Sequence, residues 1–302
     1  MKSSGKIVVL GSTNTDMVIV GKRIPLPGET VCGGTFMMNP GGKGANQAVA
    51  VARLSKVRGR CVFIAKVGAD MFGRDTAARM KKDFIDAMLV IDQDTPSGTA
   101  LIMVDDKGQN VISVALGAND TLSVEDIAPC AKDISEAAAL LLQLETPVKT
   151  VLAAAKMAHG NGVTVVLNPA PAKKLPKELY GQLDWITPNE TEAEILTGIK
   201  VSDVSNAERA RDWFMKRGVK HVAITLGSRG VYCGDCNSIY PCKKVRAVDC
   251  VAAGDTFNGA FVVALAEGRP CEEAIAFAQK ASAISVTRVG AQSSIPFREE
   301  ID

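Results

Sequence analysis

Histidine is nearly absent from this chain of 302 residues, which has only His159 and His221. A nucleophilic triad needs an imidazole beside its nucleophile, so that chemistry is disfavoured. His159, where a helix should end, and His221, where a strand should begin, fit helix-end or surface roles. An excess of charge of one sign is missing as well. Thirty-five lysines and arginines against 33 aspartates and glutamates leave a net charge of +2. With no long basic block, nucleic-acid binding and membrane attraction gain no support. Long apolar runs are missing too. After Met1 to Lys6 only Ile7 to Leu10 are strongly apolar, too few for a signal-peptide core, and no stretch approaches a membrane span.

Two nucleotide signatures are lacking. A Walker A loop needs glycine five residues before its Gly-Lys pair and Ser or Thr after it, where this chain has Met37 and Gly44. Gly11-Ser12-Thr13-Asn14 lacks the later glycines of a dinucleotide fingerprint, which argues against a nicotinamide dehydrogenase. Repeats, low-complexity stretches and flexible linkers are absent as well, so one domain over residues 1–302 is expected.

Cysteine is not scarce, but its eight positions (Cys32, Cys61, Cys130, Cys233, Cys236, Cys242, Cys250 and Cys271) scatter through apparent strands and helices. They read as reduced thiols of a cytoplasmic protein. Cys233-Gly-Asp-Cys236 followed by Cys242 has a spacing zinc could use, but four N or S ligands are not at hand. A hairpin turning at Gly234-Asp235 is the simpler reading.

With 47% hydrophobic and 23% charged residues, the chain has ample material for a core. Apolar strands alternate with amphipathic segments: strands at 6–11, 61–67, 138–144, 163–168, 185–187 and 221–226, and helices opening at Gly41-Gly42-Lys43-Gly44 and covering 72–84, 148–159, 190–197, 207–217, 254–267 and 271–288. That order predicts an α/β fold, a doubly wound and mostly parallel sheet between layers of helices, with ligands at the carboxyl ends of its strands. Extended runs at 16–20, 30–38, 99–104 and 110–115, the last two joined by Asp105-Asp106-Lys107-Gly108, interrupt the alternation. They predict a smaller sheet from segments 14–38 and 98–116, placed as a lid.

The most informative segment is Asp249-Cys250-Val251-Ala252-Ala253-Gly254-Asp255. Small residues expose the unpaired N-H groups of a starting helix, which favour an anion. A carboxylate beside that anion makes sense if a hydroxyl must lose a proton there; Asp255 as a plain helix cap is the competing reading. Gly41 to Gln47 could let backbone approach a ligand, with Lys43 and Asn46 adding a cation and an amide, or could be only a helix-entry turn. Asn14 and Asp16 could hydrogen-bond vicinal hydroxyls or form an Asx turn. Glu145 closes an apolar strand, facing a ligand or capping. Asn189 and Glu192 read as a capping box or as neighbours of hydrated Mg2+. The turn Thr225 to Gly230 could cradle a nucleotide or make a corner.

Together these residues resemble the ribokinase family of carbohydrate kinases, also called the phosphofructokinase B family. Its two signatures match Gly41 to Asn46 and Asp249 to Asp255, and the likeness extends through Asn168-Pro-Ala-Pro171, Thr187-Pro-Asn-Glu190 and Thr225 to Gly230 to the stretch Ala291 to Pro296. The resemblance implies ATP-dependent phosphorylation of a sugar, D-ribose at O5 being expected ahead of deoxyribose, fructose or a nucleoside. It implies Asp255 as catalytic base and Ala252, Ala253 and Gly254 as anion hole. It implies sugar contacts at Asn14, Asp16, Gly42, Asn46, Glu145 and Asp255, with Lys43 beside the transferring phosphate. Nucleotide contacts would come from Asn189, Thr225, Gly227, Ser228, Gly230 and Gly254. Gln279 stands where the family often has His or Asn near adenine, and Cys250 where Thr is common. Glu192 would assist Mg2+ through water. A monovalent cation, usually K+, would lie near Asp249, Val251, Ser285, Arg288, Gly290 and Ser294. Pairing of lid strands between subunits would give a homodimer.

Overall fold

A computed structural model describes residues 5–302; Met1 to Ser4, which open the segment weighed above as a signal peptide, lie outside the described residues. The chain begins with β1 (Ile7–Leu10), β2 (Asn14–Val20), β3 (Thr35–Gly41), α1 (Lys43–Leu54), β4 (Cys61–Gly68), α2 (Met71–Lys82), β5 (Asp86–Asp92), β6 (Gly98–Val104) and β7 (Asn110–Ala115). It continues through α3 (Val124–Ile127), α4 (Ala131–Glu136), β8 (Ala139–Leu142), α5 (Val148–His159), β9 (Thr164–Leu167), α6 (Lys177–Tyr180), β10 (Trp185–Ile186), α7 (Glu190–Thr197) and α8 (Val204–Met215). It closes with β11 (His221–Thr225), β12 (Val231–Cys233), β13 (Ser238–Tyr240), α9 (Ala253–Ala266) and α10 (Cys271–Ser285).

Nine strands form the main sheet in the order β13-β12-β11-β10-β9-β8-β1-β4-β5. From β5 to β11 all neighbours are parallel, and β12 and β13 add an antiparallel hairpin at one edge. The short central strands β1, β8 and β10 are apolar throughout because both faces are covered. In β1, Ile7 and Val9 enter a core shared with α1, α9 and α10, whereas Val8 and Leu10 enter a second core shared with α5 and α8. This is the expected three-layer arrangement. No helix among the described residues is long and apolar enough to cross a membrane.

The four remaining strands make a separate sheet, β3-β2-β6-β7. It is mixed: β2 runs parallel to β6 but antiparallel to β3. Several elements differ from expectation. β3 starts at Thr35 and runs to Gly41, not from 30 to 38, since Gly33 takes φ +93° and breaks the extended run. The edge strand β5 and the short helices α3 and α4 were not expected at all. Helix α2 stops at Lys82, with Phe84 in a left-handed conformation at φ +56° just beyond it.

Candidate active site

The main-sheet strands end at one edge, and the chemistry-bearing residues follow those ends as parallel topology requires. Asn14 lies just beyond β1, Glu145 beyond β8, Asn168 beyond β9 and Asn189 beyond β10. Thr225 ends β11.

The glycine loop has a geometry only glycine meets. Gly42 caps α1 at φ +89°, and a Cβ there would stand 2.7 Å from both the Asn14 nitrogen and the Thr13 Cα. Glu145 pins the next residue: its Oε2 accepts from the Lys43 backbone N-H at 2.9 Å and from the Ser12 hydroxyl. The carboxylate read as ligand-facing therefore also fixes the loop. Asn14 is buried, and its Oδ1 accepts from Asn119 Nδ2 at 2.8 Å. Asp16 is half-buried, and burial followed by the nearby Glu145 charge pushes its carboxyl up to about 6.

Asp255 lies in the first turn of α9 and is buried. Its side chain caps nothing. Oδ2 accepts from Asn46 Nδ2 at 2.9 Å and Oδ1 from Gln47 Nε2 at 3.0 Å, so two amides of α1 hold the carboxylate from one side. Burial raises the Asp255 pKa against the pull of the Lys43 ammonium and these two donors, while Glu145 pushes it further the same way. For Lys43, burial alone would lower the pKa, but Asp255, Glu145 and Glu192 together raise it, so the ammonium stays charged.

Gln47 was not among the expected site residues. Fully buried, it bonds Asp255 and Asn168 Oδ1 (3.0 Å) through Nε2 and accepts from Gln143 Nε2. Its position beside Asn46 on the helix opened by the glycine loop was the only signal in the sequence.

Ala252 caps α9 in the left-handed region, φ 58°. That turns the chain sharply ahead of the helix N-terminus, although the Ala253 N-H leans toward the Cys250 carbonyl at 3.3 Å. A cavity of about 200 Å³ lies here, lined by Lys43, Glu192, Thr225, Ala252 to Asp255 and neighbours. A larger cavity of about 650 Å³ shares Asn189, Thr225, Cys250, Ala253 and Gly254 with it and reaches Gly227, Ser228, Gly230 and Gln279. Asn189 and Glu192 do form the reciprocal capping box, and both also line the smaller cavity. Glu192 is raised by burial and by Asp255, against its Asn189 N-H bond and Lys43. The Gln279 amide already donates to the Tyr240 carbonyl at 2.7 Å, so its Nε2 is engaged within the fold.

Behind α9, Asp249 ties two loops together: Oδ1 accepts from Val251 N-H and Oδ2 from Gly290 N-H, both at 2.9 Å. Ser285 and Ser294 are buried, with their hydroxyls bonded to the carbonyls of Ser282 and Ala291. The Arg288 guanidinium pairs with Glu300.

The family described as pfkB family carbohydrate kinase matches residues 4–298. The ribokinase of Haemophilus influenzae is 46% identical over 298 residues, covering 97% of this chain and 96% of its own. The solved ribokinase of Thermotoga maritima superimposes with a TM-score of 0.89 at 42% identity, over 98% of this chain and 97% of that one. An Arabidopsis thaliana ribokinase, solved with ribose and ATP, gives 0.89 at 31% identity over the same shares.

Proposed function

The chain belongs to the pfkB family of carbohydrate kinases, and we propose that it transfers the γ-phosphoryl group of ATP to the 5-hydroxyl of D-ribose, giving ribose 5-phosphate and ADP. The observation that carries this reading is the buried Asp255 carboxylate, beside Lys43 and the start of α9, where a cavity of about 200 Å³ meets one of about 650 Å³.

Asp255 accepts the proton of the attacking hydroxyl. Its raised pKa suits a base that must be ionised near neutrality yet take a proton in the transition state. The N-H groups at Ala252 to Gly254 and the Lys43 ammonium receive the transferring phosphoryl group. Its transition state is loose, so positioning and charge stabilisation supply most of the rate. Asn14, Asp16, Gly42, Asn46 and Glu145 hold the sugar. Asn189, Thr225, Gly227, Ser228 and Gly230 hold the nucleotide in the larger cavity, with Gln279 near the base through its remaining amide oxygen.

Mg2+ fits beside Glu192, whose partly buried carboxylate lines the phosphate cavity, and would neutralise phosphate charge through a water. K+ would sit at the loops that Asp249 ties together, held mainly by backbone carbonyls of Val251, Ser285, Arg288, Gly290 and Ser294, and would steady the turn at Ala252. Exchanging K+ for a large organic cation at constant ionic strength should lower kcat at least about tenfold. Equal rates in both salts would remove that site.

The four-stranded sheet serves as a lid that excludes water. Its exposed apolar residues, among them Ile19, Phe36, Met38, Leu101, Ile112 and Val114, support pairing with a second copy as a homodimer. Eight free cysteines support a cytoplasmic location. Coupled ADP release measured across ribose, deoxyribose, fructose and nucleosides should give the largest kcat/KM with ribose; a larger value on another sugar would reassign the substrate.

A further inference from the structure

Three thiols meet at the edge of the main sheet, outside the catalytic groups. Cys233 ends β12 and is buried, Cys271 opens α10 directly after Pro270 and is half-buried, and Cys236 lies exposed in the hairpin turn between them. The Cys233 and Cys271 sulfurs are 3.4 Å apart, although 38 positions separate them in the chain. A disulfide needs about 2.0 Å, so the two elements must approach by only an ångström or so.

We propose that Cys233 and Cys271 are an oxidation site at which a hydroperoxide closes a disulfide between β12 and α10, and that this closure weakens nucleotide binding. The surroundings select the nucleophile. The Cys233 and Cys271 sulfurs share a contact in which either can donate, and the N-H groups of Cys236 and Asp235 favour the thiolate at Cys233. Together they bring Cys233 down to about 6 against the opposing effect of burial, while Cys271 is pushed up. Cys233 is the thiolate and Cys271 the neighbouring thiol that resolves it.

The Cys233 thiolate attacks the terminal peroxide oxygen, the O-O bond breaks, hydroxide leaves from hydrogen peroxide (alkoxide from an alkyl hydroperoxide), and Cys233 becomes a sulfenic acid. Cys271 then attacks that sulfur. The S-O bond breaks, the S-S bond forms, and the oxygen departs as water with the Cys271 proton. Two thiols are oxidised and one hydroperoxide is reduced.

The consequence for nucleotide follows from what the two elements carry. Val231 of β12 and Gln279, Ser282, Ala283 and Val286 of α10 or its end line the 650 Å³ cavity. Gln279 also holds the Tyr240 carbonyl of β13 at 2.7 Å. Drawing the start of α10 toward β12 shifts both walls of the cavity, while Asn14, Asp16 and the glycine loop lie across the sheet at the β1 end. This part rests on the assignment of the larger cavity to ATP.

The test treats the full-length protein with a small excess of hydrogen peroxide and digests it without reductant. Mass spectrometry should find a Cys233-to-Cys271 linked peptide that thiol reductant removes. KM for ATP should rise about tenfold with KM for the sugar unchanged. Cys271→Ser and Cys271→Ala should each abolish the link and the change in KM while retaining reduced-state activity. They also control for oxidation of Cys250, which lines the cavity itself. Absence of the link, or a Cys233-to-Cys236 link in its place, would overturn the site. A link without a change in KM for ATP, or the same change in the Cys271 variants, would overturn the coupling. Failure of ATP to bind the reduced protein would instead refute the nucleotide assignment, leaving the disulfide result to stand by itself.

Discussion

Asp255→Asn is expected to lower turnover by about 10³-fold while the affinity for sugar stays within a few-fold. Asparagine keeps the shape of the side chain and one acceptor oxygen but cannot take a proton from the attacking hydroxyl. It also meets two donors, Asn46 Nδ2 and Gln47 Nε2, where the carboxylate had an acceptor for each. One amide donor is left facing another, at a cost of about 1–3 kcal/mol if nothing rearranges. Loss of a buried charge offsets part of that, so the variant should fold. Single-turnover kinetics and calorimetric titration of the sugar separate the two effects. Turnover within tenfold of the parent protein would rule out Asp255 as the base.

Lys43→Met should cost about 10²- to 10³-fold in kcat, the range for removal of one preorganised charge from a transition state. The lysine also acts on the titration of its neighbours. Its ammonium opposes the upward pressure of burial on both Asp255 and Glu192. Without it, both carboxyls titrate at still higher pH. Since the base works only when ionised, the acidic limb of the pH-rate profile should move to higher pH and part of the loss at neutrality should be recovered in alkaline buffer. A loss in kcat with an unmoved acidic limb would contradict this electrostatic account.

Much of the site was legible because its parts are local in the chain. The glycine loop and the segment ending in Asp255 each place their small residues beside their charged one, and turn chemistry at such points leaves few alternatives. Non-local relations were harder to read. Gln47 and Asp255 are 208 positions apart, and nothing at either position names the other; the contact exists because α1 and α9 pack on the same face of the sheet. Asn119 reaches Asn14 through a short helical turn that carries no periodic signal. Strand β5 escaped because its run Asp86 to Asp92 follows an amphipathic helix and lies half-exposed at the sheet edge. The capping readings fared differently in two cases. Asn189 and Glu192 cap a helix and line the cavity at once, whereas Asp255 gives both oxygens to α1 and none to its own helix.

Seven consecutive residues of β2 pair with β3 on one side and β6 on the other, beginning with Asn14 opposite both Gly41 and Gly98. Side chains alternate along a strand, so one added residue before Asp16 would send it to the opposite face. The segments 21–34 and 105–109 carry no such ladder. The small sheet therefore has a root of fixed length at Asn14 and Asp16, in the proposed sugar site, and a crown that no such ladder constrains. Evolution or an engineer can lengthen, trim or fuse the crown to alter what it meets outside, and leave the end at Asn14 and Asp16 in register.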